Sequence, residues 1–490
     1  MEYSTPEKQG ISSEDILEYI KTLENARLAT HDLLIMRGGK LIYEGYWKPF
    51  TPDFKHRMYS VTKSFVAIAI GFLEQEGKLS LDDKISKYYE EELRNQPDMN
   101  MHNQTIRHML MMSTAKVERS WFAAKPEDRV KFYFENDKKE SRPSGTLFQY
   151  DSTGSFVLGA LAEKLSGMSL KDYLYSRLFE KIGVSKETYF LQCPGGYSWG
   201  DSALLCTPRD LMLVAQFMMN KGKWGGEQIL NEKFVTDATS CMIPNALLND
   251  DEFDTQGYGY LIWRTIDNSF FFNGMACQFA VCVPDKDIIL VYNADNQGKT
   301  YAKKVIFENF FNLIVRRAKE APLPENKEGE NKLSEYTSGL KLMSVHGEKT
   351  SPLTKEISEK MFVLDENPMG ISKISFTFNE NGGIMRYTNA QGDKELPFSM
   401  CENTFTEFPQ DGYSNICGTK PGNKRYKCAV SAAWESPQHL TIKAQIIDTY
   451  FGVLDMHFGF RDNLIGIRMY KVAEDFLNEY EGFAGGRILN

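Results

Sequence analysis

The chain has 490 residues, a net charge of −9, and 42% apolar against 25% charged residues. This is the balance of a soluble globular protein too long for one ordinary core, and two or three domains are expected. Lys and Arg are dispersed with no basic block, so neither nucleic acid nor an anionic membrane is an expected partner.

Residues 1–21 carry no apolar run of signal-peptide length. The longest apolar stretch, residues 65–73, is too short to span a bilayer and is soon followed by Glu74 and Glu76. The expected location is the cytoplasm. None of the eight cysteines forms a Cys-x-x-Cys pair, and the seven histidines show no His-x-x-x-His spacing. Free thiols in a reducing compartment are therefore expected, with no metal site.

In chain order, residues 32–44 read as a hairpin: an apolar strand, Gly38-Gly39, then a second strand. Residues 62–76 read as a buried helix ended by Gly77, and residues 152–165 as another ended by Gly167. Residues 208–220 read as a third, with Thr207 as N-cap. Residues 270–272, 278–283 and 287–292 read as antiparallel strands, and 301–315 as a closing helix. Strands at both ends with helices between them predict an α+β layer structure. Residues 321–332 combine Pro, Gly and charge and read as a linker between a first domain, 1–320, and a second, 333–490. In the second, residues 371–378, 383–387, 426–434, 440–447, 453–460 and 464–469 alternate or run apolar at strand length. This predicts an all-β meander, closed as a barrel or sandwich, with no catalytic constellation.

The strongest chemical signal is Tyr59-Ser60-Val61-Thr62-Lys63-Ser64 at the start of the buried helix. Ser60 and Lys63, three residues apart, share a helical face with Cβ atoms about 5–6 Å apart. A serine hydroxyl is a weak nucleophile and needs a base; a lysine serves where burial and neighbouring charge favour its neutral form. The helix N-terminus adds partial positive charge where an oxyanion would form. Taken alone, however, a serine in this place reads first as a helix N-cap.

Context decides otherwise. The stretch from His56 through Ser60-Val61-Thr62-Lys63 to Asp83 closely resembles the active-site helix of the β-lactamase-related serine hydrolases. That group includes class C β-lactamases, D-alanyl-D-alanine peptidases, family VIII esterases and 6-aminohexanoate-dimer hydrolases. The resemblance continues through Ile106-Arg-His-Met-Leu-Met-Met-Ser113 and covers about residues 4–315. It implies a β-lactamase/transpeptidase-like fold, an antiparallel sheet flanked by helices.

A second motif is Phe148-Gln149-Tyr150-Asp151-Ser152, where the family has Tyr-x-Asn or Tyr-x-Ser on a loop before a helix. The resemblance implies that Tyr150 shares a proton with Lys63 and Ser60, and that Ser152 orients the lysine and the substrate. A third motif is looser. The family carries Lys-Thr-Gly, His-x-Gly or Gly-x-x-Gly-Gln on the strand edging the site; here Phe272-Asn273-Gly274-Met275-Ala276-Cys277-Gln278 keeps Gly274 and Gln278 without the Lys or His. It implies substrate contacts at Asn273, Gly274 and Gln278, and an oxyanion hole made by the backbone N–H groups of Ser60 and Met275. His56 and Cys277 read as structural. Tyr258 and Trp263 read either as cleft lining or as core.

The sequence thus predicts a serine hydrolase that forms an acyl-enzyme on a small ester or amide, needing no cofactor and no partner beyond its small-molecule acyl substrate. A β-lactamase or D-amino-acid peptidase, and a binding protein that keeps the fold without catalysis, are the rival readings.

Overall fold

The computed structural model describes residues 1–115, 124–135, 141–247, 251–413 and 424–488. The chain divides into two compact units, one ending at Lys341 and the other beginning at Leu342.

The first unit is built on a seven-stranded sheet. Its order is Glu2–Tyr3, Lys40–Tyr46, Thr30–Arg37, Ile288–Ala294, Gln278–Val283, Ser269–Gly274, Trp263–Thr265, antiparallel except for the first pair. Period-two alternation explains how both faces are covered. Leu33, Ile35, Phe271, Phe279 and Tyr292 point into one core with Phe307, Phe310 and Phe311 of the closing helix Ala302–Asn309 and its π-helical extension Phe310–Val315. The helix Ser13–Asn25 completes that layer. The intervening positions face the other way, against the helix Pro208–Met219, where the Cys282 thiol meets Ala215 O. That helix starts as expected: Thr207 and Asp210 form a capping box with proline at the first turn.

Two buried helices stand on this second side. Thr62–Gln75 is buried at every position from Thr62 to Leu73, and Ser152–Ser166 packs along it, capped by Asp151 and closed by left-handed Gly167. Neither carries the polar stripe of a surface helix, which is what an all-round apolar sequence dictates.

The first unit extends further than the expected boundary at residue 320. Within 321–332, Lys327 opens a helix, Lys327–Ser338, capped by Asn326. Leu333 and Leu340 are buried in the first unit's core, Tyr336 bonds Glu24, and Lys48 N donates to Leu340 O. The segment is polar because one face of a short helix is solvated, not because it is a free linker.

The second unit is a closed barrel. Nine strands run in the ring order Gly392–Met400, Gly382–Asn389, Lys373–Phe378, Met361–Leu364, Gly482–Ile488, Leu464–Ala473, Phe451–Arg461, His439–Ile447, Lys427–Ser436. A parallel pairing of Ser399 and Met400 with Ser431 and Ala432 closes it, and Thr404–Glu407 adds an outer strand to Lys427–Ser436. Closure removes the exposed edges that an open meander would leave. Of the two architectures the sequence left open, the barrel is the one formed.

Candidate active site

Ser60 lies in a single 3-10 turn, Tyr59–Val61, that feeds directly into Thr62–Gln75. It makes no capping bond to the helix, so the cap explanation for this serine fails. Instead Lys63 Nζ donates to Ser60 Oγ at 2.8 Å and to the carbonyl oxygen of Asp201 at 2.7 Å. Lys63 is 1% exposed whereas Ser60 is half-buried, so the amine is held out of solvent beside a residue that keeps some access to it. Tyr59, just before it, is non-glycine backbone at φ +45°, a strained conformation of the kind found where a side chain is aimed for a purpose.

The turn is pinned on three sides. Met58 N donates to Leu204 O at 2.8 Å, and Leu204 N donates to Thr62 Oγ1 at 3.0 Å. Ser64 Oγ donates to Leu261 O at 3.0 Å, tying the helix to the segment before Trp263. The third contact is at Gly274. A Cβ there would stand 2.4 Å from Met58 O and 3.3 Å from Val61 Cγ2, so only glycine lets the sheet edge pass this close to the Ser60 turn.

Tyr150 is half-buried on the loop before Ser152–Ser166, its ring centroid 5.1 Å from Lys63 Nζ. The ring stacks on Trp263 at 5.7 Å, and Trp263 meets Tyr258 and Phe148 at 5.1 and 5.7 Å. Trp263 is half-buried and Tyr258 fully buried, so of the two residues read as cleft or core, Tyr258 is core. Asp151 is buried and spent on structure: its carboxylate accepts from Gly154 N, Thr153 Oγ1 and Thr114 Oγ1. This anchors the residue next to Tyr150. Ser152 is half-buried at the first turn of its helix, and among the described residues no hydrogen bond joins it to Lys63.

The third motif divides. Phe272 is fully buried, Asn273 half-buried, and Met275 is 42% exposed beyond the strand end. Ala276 and Cys277 follow in left-handed conformation, and Asn296 N donates to Ala276 O at 3.1 Å, fixing the turn. Gln278 is 0% exposed; its amide donates to Met275 O at 3.2 Å and Ala294 O at 2.6 Å. Gln278 therefore holds the turn through backbone carbonyls, and any influence of its side chain on substrate passes through Met275. Burial pushes the Cys277 thiol up to about 12, so it is a packing residue. Arg264, on the neighbouring strand, is bound to Asn268 O and Asn268 Oδ1 within its own hairpin and to Thr239 O at the end of the helix Glu232–Ala238.

Two buried titratable groups accompany the site, His56, read from the sequence as structural, and Asp201, which lies in no motif. His56, buried beside Asp32 with Nε2 3.4 Å from Oδ2, is driven down to about 3 by desolvation and stays neutral. Asp201, 1% exposed, is pushed up to about 6 by burial, against the opposing pull of Lys63, Arg129 and Arg57. Among the described residues no cluster of three or more His, Cys, Asp or Glu could hold a metal ion, and no helix is long and apolar enough to cross a membrane.

The sequence pattern of the beta-lactamase family matches residues 22–306, more than half of the chain. The chain belongs to the beta-lactamase family. It is 23% identical over 220 residues to the 6-aminohexanoate-dimer hydrolase of Paenarthrobacter ureafaciens, covering 42% of this chain and 56% of that enzyme. It is 25% identical over 171 residues to penicillin-binding protein 4* of Bacillus subtilis, covering 31% of this chain and 36% of that protein. The matches thus span only about half, or less, of those relatives' own lengths. Among solved structures, a Bacillus anthracis protein assigned as a 6-aminohexanoate-dimer hydrolase superposes with a TM-score of 0.53 at 18% identity, covering 64% of this chain and 86% of that one. SurE with D-Leu superposes at 0.50 and 15% identity, covering 97% of this chain and 99% of that one. At such identities the structural likeness establishes the fold. Membership makes the chain one of a family of serine hydrolases.

Proposed function

We propose that the chain hydrolyses small esters or amides through an acyl-enzyme at Ser60. The observation that carries this is the buried Lys63 amine, 2.8 Å from Ser60 Oγ with the Tyr150 ring centred 5.1 Å away. Ser60 Oγ attacks the substrate carbonyl and its proton passes to the Lys63–Tyr150 pair. The oxyanion rests on the backbone N–H groups of Ser60 and Met275; the close approach of Gly274 to Met58, two residues before Ser60, supports this reading. Collapse expels the alcohol or amine, protonated through Tyr150, and water attacking the ester carbonyl of Ser60 releases the acid. No step calls on a metal or an organic cofactor.

A small acyl substrate without a carboxylate beside the scissile bond is favoured by the third motif. Substrates of the penicillin type present that carboxylate, and a charge-assisted bond to it is worth about 1.5–3 kcal/mol, or roughly 10- to 150-fold. Here the corresponding positions are Phe272, fully buried, and Asn273, and Arg264 is engaged in its hairpin. The name of the Paenarthrobacter relative, a hydrolase of a 6-aminohexanoate dimer, agrees with a small-molecule substrate. The test compares kcat/KM for a p-nitrophenyl ester of a short acid with that for a chromogenic cephalosporin. The ester value is expected to be higher; a cephalosporin value equal to it or above would favour the β-lactamase reading instead.

A further inference from the structure

A phenol that passes protons has to keep its hydroxyl in one place. Among the described residues no hydrogen bond reaches the Tyr150 hydroxyl. The backbone on either side is fixed: Gln149 N donates to Met112 O at 2.8 Å and Asp151 N to Met112 Sδ at 3.3 Å. These bonds leave the side-chain torsions of Tyr150 to packing. Two groups stand against its ring. Lys63 Nζ lies 5.1 Å from the centroid, and the Trp263 ring stacks on it at 5.7 Å with the planes 27° apart.

Trp263 is braced in turn. Tyr258 and Phe148 meet it edge-on at 5.1 and 5.7 Å, and Phe271 lies at 6.3 Å; all three are buried. Its backbone pairs with Phe271 in the sheet and bridges to Tyr258. The turn between Tyr258 and Trp263 is tied to the helix that carries Lys63, because Ser64 Oγ donates to Leu261 O at 3.0 Å. Leu261 N donates to Leu110 O at 2.8 Å, and the residue stands at φ +54°, a strained backbone for a leucine. The indole is thus fixed relative to the lysine. Trp47, Trp199 and Trp434 are buried as core residues, whereas Trp263 is half-buried beside Tyr150.

We propose that Trp263 is a positioning residue: its indole face fixes the plane of the Tyr150 ring and so holds the phenol where it exchanges a proton with Lys63 and Ser60. The inference rests on the acyl-enzyme reading given above. Stacked rings prefer a defined geometry beyond the gain from buried area. A phenol already confined to that geometry has lost its rotational freedom before the reaction starts, which lowers the barrier.

The test is the rate at which a fluorophosphonate probe labels Ser60 in the full chain. In this reaction the Ser60 Oγ–phosphorus bond forms, the P–F bond breaks, fluoride leaves and the hydroxyl proton passes to the Lys63–Tyr150 pair. Trp263→Leu keeps apolar bulk but has no flat face, and should slow labelling roughly 10- to 100-fold. Trp263→Phe keeps a face and should stay within about threefold of wild type. In a Tyr150→Phe background, Trp263→Leu should change the rate by less than about threefold, since no phenol remains to be misplaced. A packing residue, or a wall that touches substrate directly, would lose rate equally in both backgrounds. Wild-type labelling in Trp263→Leu, equal losses in Trp263→Leu and Trp263→Phe, or the same loss with and without the Tyr150 hydroxyl each overturns the proposal. Should Trp263→Leu not fold, Trp263→Ala replaces it; if neither folds, Trp263 is a core residue and the proposal falls. A wild-type chain that is never labelled refutes the Ser60 reading itself, whereas a labelled wild type with unaffected Trp263 variants refutes this inference alone.

Discussion

Asp201→Asn should make the protein more stable at neutral pH. Burial holds the Asp201 carboxyl at about 6, against an ordinary value of 3.8. A gap of about 2 pH units corresponds to about 3 kcal/mol. The sign follows from which state loses its proton first. The unfolded chain ionises this carboxyl near pH 4, while the folded chain holds the proton to about pH 6. The cost to folding is therefore absent below about pH 4, grows between pH 4 and 6, and is fully present above that. Asparagine has nearly the same shape and no charge, so it removes the cost. Urea unfolding followed by tryptophan fluorescence, run on wild type and variant at pH 4 and pH 8, measures it, with Trp199, two residues before Asp201, against the Arg57 and Arg129 guanidiniums as a local reporter. The variant is expected to be about 1–3 kcal/mol more stable at pH 8 and indistinguishable at pH 4. A variant that is less stable at pH 8, or a difference of equal size at both pH values, would refute the reasoning, because packing does not depend on pH.

Further outcomes follow from the same geometry. Lys63→Met and Tyr150→Phe should each lower kcat/KM for the p-nitrophenyl ester by ~10²–10⁴-fold, and the double variant should lose far less than their product, since both act on one proton; a fully multiplicative loss would count against a shared role. A chain ending at Lys341 should fold and be labelled at Ser60, whereas one ending at Lys319 should melt at least ~5 °C lower, having lost the buried Leu333 and Leu340; equal melting temperatures would contradict the placement of that helix. Phe272→Lys should not create a cephalosporinase. The side chain is 0% exposed, and burying an unpaired charge there should cost at least ~3 kcal/mol, read as a lowered urea midpoint.

The parts of the site that were legible in the sequence are those confined to one local stretch. Ser60 and Lys63 are three residues apart on one helix start, and Tyr150 stands in a loop whose following helix announces itself by Gly167 and its apolar run. Gly274 was legible as a glycine but its reason, the approach of Met58 O, belongs to packing. Asp201 was not legible. It lies 138 residues from Lys63, touches it through a backbone carbonyl that any residue possesses, and sits in no motif. In the barrel, the strand Gly392–Met400 escaped because Lys394 takes an inward position and Pro397 argues against a strand. Gly482–Ile488 escaped because its glycines are read as turns; yet a Cβ at Gly486 would stand 2.5 Å from Leu364 Cδ2, so the glycine is there to let two strands pack. Local propensity names what is local, and long-range burial names the rest.

The central claim is that Ser60 is a nucleophile. Intact-mass spectrometry of the full chain after incubation with a fluorophosphonate tests it most directly, with peptide mapping to locate the adduct. The account predicts one adduct per chain, on Ser60, formed in wild type and absent from Ser60→Ala. No adduct in the wild type, or an adduct that persists at the same rate in Ser60→Ala, would contradict it.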